Sequence, residues 1–435
     1  MNPVAARPPV GGRPFTVLRR RRLRFRYLGS IVGYVWRSAE ISGDELNPEE
    51  AGLDLAKLAE LRACVRRDVD AGLLPAAQFA LARHGRLVAF EAFGSADAPA
   101  TVATRFTTFS CIKPVVASGL WPFLAAGELV PAQPVRRYVP TFTGNGKDEV
   151  TVEQLLLHTG GFPHAPLGAL ESFDRDSRRA AFTGWELAWA PGTRYEYHPL
   201  SAYWVVAELL EQLGGAPYAD VLHETVTRPL GLSRLLGLPA DEQADIADVT
   251  AVGEPPTPDE LRAAMGLAAD VELPVDELDP ALVQLLNLPE VRSLGVPGGG
   301  GVATAADLVS FYQALLAPEL WPSELVADMV GRVRNTFPNG PLGELTGLRT
   351  NRALCFEVAG SDGQAAARGF GHGTSAAAFG HAGLGGQVAW ADPVSGLSFS
   401  FLTSGYDRDR LRELARSAEL STLAAACVAP TPSAE

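Results

Sequence analysis

Lysine is scarce in this chain. Of 37 basic side chains in 435 residues, only Lys57, Lys113 and Lys147 are lysines, and arginine supplies the rest. Where a bulk cation suffices the sequence uses Arg, so each lysine raises the question of what Arg could not do there. One answer is chemical: a guanidinium does not give up its proton in a protein, and an ammonium can. Cysteine is scarce too. Cys64, Cys111, Cys355 and Cys427 form no Cys-x-x-Cys pair and are too few for a disulfide scaffold. No apolar run approaches the roughly 18 to 20 residues of a membrane-spanning helix. Positive charge is short overall. Fifty acids against 37 bases leave −13, which argues against a nucleic-acid partner.

Several catalytic signatures are missing as well. There is no His-Glu-x-x-His and no clustered metal-ligand spacing, so no metal is expected. Gly146-Lys147 lacks the flanking residues of a phosphate-binding loop, and Gly298 to Gly301 lacks the third glycine of a dinucleotide loop. No cofactor is expected. Gly373-Thr374-Ser375 only approaches a Gly-x-Ser-x-Gly elbow.

What is present is ordinary globular composition, 47% apolar and 20% charged, at a length that predicts two or three folding units. Residues 1–39 hold nine Arg and no acid. Residues 17–37 read as a solvated tail or a membrane-surface segment on a cytoplasmic protein, with an export signal as a third reading. Leu55, Leu58, Leu61, Val65 and Val69 recur at helical spacing and predict an amphipathic helix over 53–71. Strand-like runs at 78–82 and 87–93, joined by His84-Gly85, predict a hairpin.

Residues 110–235 read as mostly helical. Thr151 to Gln154 and Thr304 to Asp307 each form a capping box, and Pro199 is placed at the first position of a helix that Gly214-Gly215 ends. The stretch 241–290 holds thirteen acids and one Arg and reads as an insertion or lid. Strands return at 387–391 and 397–403, and 409–425 reads as a closing helix. The fold class expected is α+β: an antiparallel β-sheet flanked by helices, built by 51–109 and 345–428 together. A mainly helical domain, 110–344, is inserted between them, with tails at 1–50 and 429–435.

The chemistry is read from Phe109-Ser110-Cys111-Ile112-Lys113-Pro114. Proline is tolerated only in a helix's first turn, so a helix must begin near Ser110. Residues three apart on a helix share a face, which lets Ser110 Oγ meet Lys113 Nζ. A neutral lysine can take the serine proton, and backbone N–H groups can hold an oxyanion. A four-residue pattern is unspecific on its own and needs partners. Tyr197, at an exposed elbow in Pro191 to Pro199, could relay protons. In Gly380-His381-Ala382-Gly383-Leu384-Gly385-Gly386, the glycines admit a ligand to the strand backbone. His381 could donate to a substrate oxygen, and a free N–H near Leu384 could complete an oxyanion hole.

Ser-x-x-Lys, then a tyrosine motif, then His-x-Gly, in this order and rough spacing, resembles the serine β-lactamase-like or penicillin-recognising family. Leu155-Leu-Leu-His-Thr-Gly-Gly-Phe162 and Gly298-Gly-Gly-Gly-Val-Ala-Thr304 look like the family too. The resemblance spans roughly 52–425 and implies a β-lactamase/transpeptidase-like fold. It implies Ser110 as nucleophile, Lys113 as its base, Tyr197 as a second proton relay, and Ser110 and Leu384 N–H groups as the oxyanion hole, with His381 and Gly383 in the third motif. Pro199 stands where the family often has Asn. His198 is an auxiliary candidate, read as facing solvent. His381 replaces the lysine that holds a β-lactam carboxylate, which points toward the esterase-like and D-peptidase-like members.

The expected activity is hydrolysis of a small ester or amide through a Ser110 acyl-enzyme. D-peptidase, transacylase or weak β-lactamase activity at the same site is the alternative within the family. The other is a non-catalytic binding or scaffold protein on the same fold. The oligomeric state is not given by the sequence.

Overall fold

The structure is a computed structural model and describes residues 48–274 and 278–428. The Arg-rich tail, with the 17–37 segment, lies outside the described residues, as does 429–435. All the described residues belong to one compact unit. Among them, no helix is long and apolar enough to cross a membrane.

The predicted opening helix runs Leu55–Asp70, with Asp54 accepting from the Ala56 and Lys57 N–H groups at its start. Strands β1 (Ala76–Arg83) and β2 (Arg86–Gly94) form the expected hairpin. His84 and Gly85 make its turn at φ 49° and 79°, the positive values that a two-residue turn requires. Four short strands follow: β3 (Arg105–Thr107), β4 (Ile246–Ala247), β5 (Thr250–Val252) and β6 (Val302–Ala303). The last five are β7 (Glu357–Val358), β8 (Phe379–Ala382), β9 (Val388–Asp392), β10 (Leu397–Thr403) and β11 (Gly405–Asp407).

The main sheet has the order β2-β1-β10-β9-β8-β7, and every neighbouring pair is antiparallel. The two ends of the chain are thus zipped together, Phe79 opposite Phe401. The two faces of the sheet differ in side-chain size. Phe79, Leu81, Phe399 and Phe401 point to a core shared with the Leu55–Asp70 helix and the closing helix Arg410–Ala426. Each such buried side chain contributes about 1.5–3 kcal/mol.

The opposite face carries Ala80, Ala82, Ser398 and Ser400, small enough for the helix Ala305–Leu316 to lie close. Gln313 Nε2 donates to the Ala82 carbonyl at 3.0 Å and Ser398 Oγ to the Val309 carbonyl at 3.0 Å, which staples that helix down. This second core continues without a break into the helical region.

Three expectations change. Residues 110–235 are only partly helical: short helices such as Val152–Leu156 and Ala169–Phe173 alternate with long loops. Pro199 is not the first helical residue, because the helix begins at Ser201, and the Pro199 carbonyl is turned to a lysine instead. Finally, 241–290 is not a detached cover. Its β4 pairs with β3 and its β5 with β11, so it is woven into two small sheets. Both predicted capping boxes are present.

Candidate active site

Ser110 sits in a 3₁₀ turn, Phe109–Ile112, that runs directly into the helix Lys113–Ser118. Phe109, just before it, is held at φ 44°, a strained value for an aromatic residue and a common mark of functional turns. Pro114 occupies the first turn of the helix, where its missing N–H costs nothing. The serine and lysine then fall on one face, and Lys113 Nζ lies 3.0 Å from Ser110 Oγ.

Lys113 is fully buried. Its amine donates to the Pro199 carbonyl at 2.7 Å and to the Gly298 carbonyl. Two N–H bonds are thereby committed, and the remaining tetrahedral direction faces Ser110. Burial, reinforced by the Arg352 charge, pushes the lysine well below its ordinary range. In its uncharged form the amine turns a lone pair toward the serine hydroxyl. The glycine run makes this approach possible. A Cβ on Gly298 would stand 2.7 Å from the Pro199 carbonyl oxygen, and one on Gly301 would run into Ile112.

Tyr197 lies beside this pair, half-buried and not at an exposed elbow. Lys113 Nζ is 5.0 Å from its ring centre. The Tyr197 hydroxyl is buried and has no hydrogen-bond partner among the described residues. Burial raises its pKa, while the neighbouring Ser110 hydroxyl and the Arg352 charge pull it down.

The third motif arrives on β8. Cys111 Sγ is 3.4 Å from the His381 carbonyl oxygen, and a Cβ on Gly383 would stand 2.8 Å from the Thr108 carbonyl oxygen. Only glycine lets the strand end press against the Ser110 turn. Leu384 and Phe109 then pack in one apolar cluster with Val249, Val283 and Tyr406. The woven acidic stretch thus supplies an apolar wall beside Ser110.

Two sequence readings fail here. His198 does not face solvent and has no free nitrogen for a substrate. Its Nε2 accepts from the Phe162 N–H at 3.0 Å, and its Nδ1 lies 2.6 Å from the Glu196 carbonyl. Burial pushes it down to about 3, so it stays neutral and fixes a loop. His381 is also buried. Its Nδ1–H donates to the Ala382 carbonyl at 2.7 Å, which leaves Nε2 an acceptor, 3.4 Å from Arg352 Nη2. A hydrogen bond from His381 to a substrate oxygen therefore does not fit this tautomer.

Two residues of the site were missed. His158 accepts from the His198 N–H at 3.1 Å, and its ring centre is 4.8 Å from that of Tyr197. Its stretch, Leu155 to Phe162, carried a family signal that could have flagged it. Arg352 is 1% exposed and lies under Tyr197, with its Cζ 5.6 Å from the ring centre. Nothing in Thr350-Asn-Arg-Ala-Leu354 marks it. The near-miss serine, Ser375, is spent on Asp392, to which its hydroxyl donates at 2.6 Å. Among the described residues no group of His, Cys, Asp and Glu could hold a metal ion.

The model of the Beta-lactamase family matches residues 61–424. The chain belongs to the beta-lactamase family. Esterase EstB of Burkholderia gladioli is 29% identical over 313 residues, 66% of this chain and 77% of that protein. A putative D-alanyl-D-alanine carboxypeptidase of Escherichia coli K12 is 26% identical over 214 residues, 43% of this chain. That match spans only about half of the carboxypeptidase, 49% of its length. Among solved structures, a penicillin-binding protein homolog from Caulobacter crescentus superposes with a TM-score of 0.66 at 24% identity, covering 85% of this chain and 96% of its own. That likeness establishes the beta-lactamase-family fold for the chain.

Proposed function

We propose that this beta-lactamase-family chain is a serine hydrolase that cleaves small carboxylic esters through an acyl-enzyme on Ser110. One observation carries the reading. A half-buried serine hydroxyl lies 3.0 Å from a fully buried amine whose burial works against its charged form. That is an activated nucleophile and its base.

In the first step Lys113 takes the Ser110 proton as Oγ bonds to the ester carbonyl carbon. The oxyanion is held by the Ser110 and Leu384 N–H groups. The C–O bond to the leaving group breaks, Tyr197 gives its proton to the departing alkoxide and takes one in turn from Lys113, which leaves the amine free. Water then gives a proton to the free amine of Lys113 as it attacks the acyl carbon, the bond to Oγ breaks, and that proton passes to Ser110, releasing the acid. Gly383 serves by bringing Leu384 to the nucleophile. His381 acts only through Arg352 and Ala382, and His198 only through the loop it ties.

The likeness to esterase EstB supports an ester over an amide substrate. Pro199, which looked like a lost contact in the sequence, counts against a non-catalytic scaffold: its carbonyl holds the lysine. The test is hydrolysis of a chromogenic short-chain ester by wild type and Ser110→Ala. Equal rates would remove the reading.

A further inference from the structure

Five titratable or permanently basic side chains converge beneath the serine: Lys113, His158, His198, His381 and Arg352. One carboxylate meets them, Glu357, whose Oε1 is 3.2 Å from Arg352 Nη2. We infer that Arg352 is a positioning residue for the reaction: its permanent buried charge, paired with Glu357 on the far side of the Tyr197 ring, acts through Lys113 by opposing a second positive charge there. This inference rests on the reading of Ser110 and Lys113 given above.

The geometry is compact. Lys113 Nζ is 5.0 Å from the centre of the Tyr197 ring, and Arg352 Cζ is 5.6 Å from the same centre. The two cationic groups therefore lie within about 11 Å of each other, the sum of those distances. Both are fully buried, so little water screens them. At that separation, with the effective dielectric of a protein interior near 20, a neighbouring charge displaces a titration by about one pH unit.

The groups that surround the lysine leave Arg352 alone in this role. From its own turn it meets Ser110 and Cys111, the latter a thiol that burial keeps protonated. From the 155–162 loop comes His158, and from 195–203 come Tyr195, Tyr197 and Tyr203, with His198 behind them. From the chain leading into β7 come Arg352, Cys355 and Glu357, and from β8 comes His381. Burial holds the three histidines neutral and the three tyrosines protonated. Among the basic groups only Arg352 stays charged at every working pH, because a guanidinium does not release its proton. Its Nε and Nη1 have no hydrogen-bond partner among the described residues. A cation retained in the interior with three of its five N–H donors unspent is poorly explained as a stabilising ion pair.

The sign follows from Coulomb's law. A second positive charge on Lys113 is repelled by Arg352, so removing Arg352 eases protonation of the amine. The acidic limb of the rate profile then moves to higher pH. Removing Glu357 leaves Arg352 unbalanced, makes a second cation harder to form, and moves the limb to lower pH.

The experiment is the rate of Ser110 labelling by a fluorophosphonate between pH 5 and 10. It is measured on wild type, Arg352→Gln, Arg352→Lys and Glu357→Gln, with thermal melts to verify folding. Labelling reports acylation alone and needs no turnover. The limb is expected to rise by about one pH unit in Arg352→Gln. Labelling then falls about tenfold at a pH on the acidic limb and recovers to near wild type above it. Arg352→Lys, whose ammonium can lose its proton in that dry setting, recovers at most part of the wild-type limb, and Glu357→Gln shifts it the opposite way.

A uniformly lower rate with an unmoved limb in Arg352→Gln would make the residue structural and overturn the inference. If that variant does not fold, an unmoved limb in Glu357→Gln overturns it alone. Wild type that never labels at any pH would sink the hydrolase reading itself, a separate result.

Discussion

Two clusters of buried charge stand on the two sides of the main sheet, and they are built on opposite plans. Behind the sheet, Asp68, Asp407, Arg412 and Arg416 join the opening helix, β11 and the closing helix. Arg416 Nε bonds Asp68 at 2.7 Å and its Nη2 bonds Asp407 at 2.8 Å, while Arg412 grips Asp407 at 2.8 and 2.6 Å. Two acids meet two bases. Beneath Ser110, four titratable bases and an arginine meet one acid. The balanced cluster joins three elements and leaves no group able to change its charge cheaply. In the unbalanced one, burial with a single acid to offset it works against charge on the amine and imidazoles, and a neutral amine is a base. Burying charge thus yields either a clamp or a reagent, and the ratio of acids to bases decides which.

The comparison can be broken at five points. Ser110→Ala carries the largest expected effect: loss of probe labelling and a fall in ester turnover of about 10⁴-fold or more. Lys113→Arg comes next. It preserves the positive charge and tests whether the amine works as a base, so kcat/KM should fall by about 10³-fold. Retained activity would show that a cation was all the site required.

On the far side, Asp407→Asn leaves the buried Arg416 and the part-exposed Arg412 underpaired and should cost about 3 kcal/mol of stability by denaturant unfolding. The pH profile of the folded variant should not move. In Asp407, burial pushes the carboxyl up, but its Arg412 and Arg416 bonds outweigh this and hold it below the usual range. Its contribution is therefore present above the ordinary aspartate value, about 3.9, and is lost as the pH falls through the lower folded value.

Tyr197→Phe keeps the ring contacts and removes a hydroxyl that had no partner to lose. Turnover should fall by about 10²-fold with no loss of melting temperature. A lower melting temperature would show that the phenol is structural.

The smallest effect is a slope. His198 stays neutral in the fold down to about 3, whereas an unfolded histidine takes up a proton below about 6.5. The unfolded chain binds the extra proton in that window, so acid favours unfolding there. In His198→Phe the pH dependence of stability between those limits should flatten by about 1.4 kcal/mol per pH unit. An unchanged slope would mean that the buried ring is already protonated.

The sequence made the clamp and the reagent legible to different degrees. The helices that carry Asp68, Arg412 and Arg416 were readable from apolar spacing, but their charges look like solvated faces until the two helices meet. The proposed nucleophile and base were readable because Pro114 fixes a helix start and three-residue spacing fixes a face. Tyr197 was found by its place between the other motifs, yet its burial was not, since the elbow that carries it is covered by residues far along the chain. His198 was misread for the same reason: both of its bonds go to backbone groups that local pattern cannot locate. Arg352 left no local mark at all.

By itself, then, the sequence determined what short-range geometry controls. It set the hairpin, the capped helices, the serine one turn from its lysine, and the glycines where backbones must touch. Tertiary structure decided every charge state. Whether an amine is a base, an imidazole a donor or an arginine a counterweight depends on water excluded and on charges brought close by folding, and Arg352 stands 239 positions along the chain from the Lys113 it opposes.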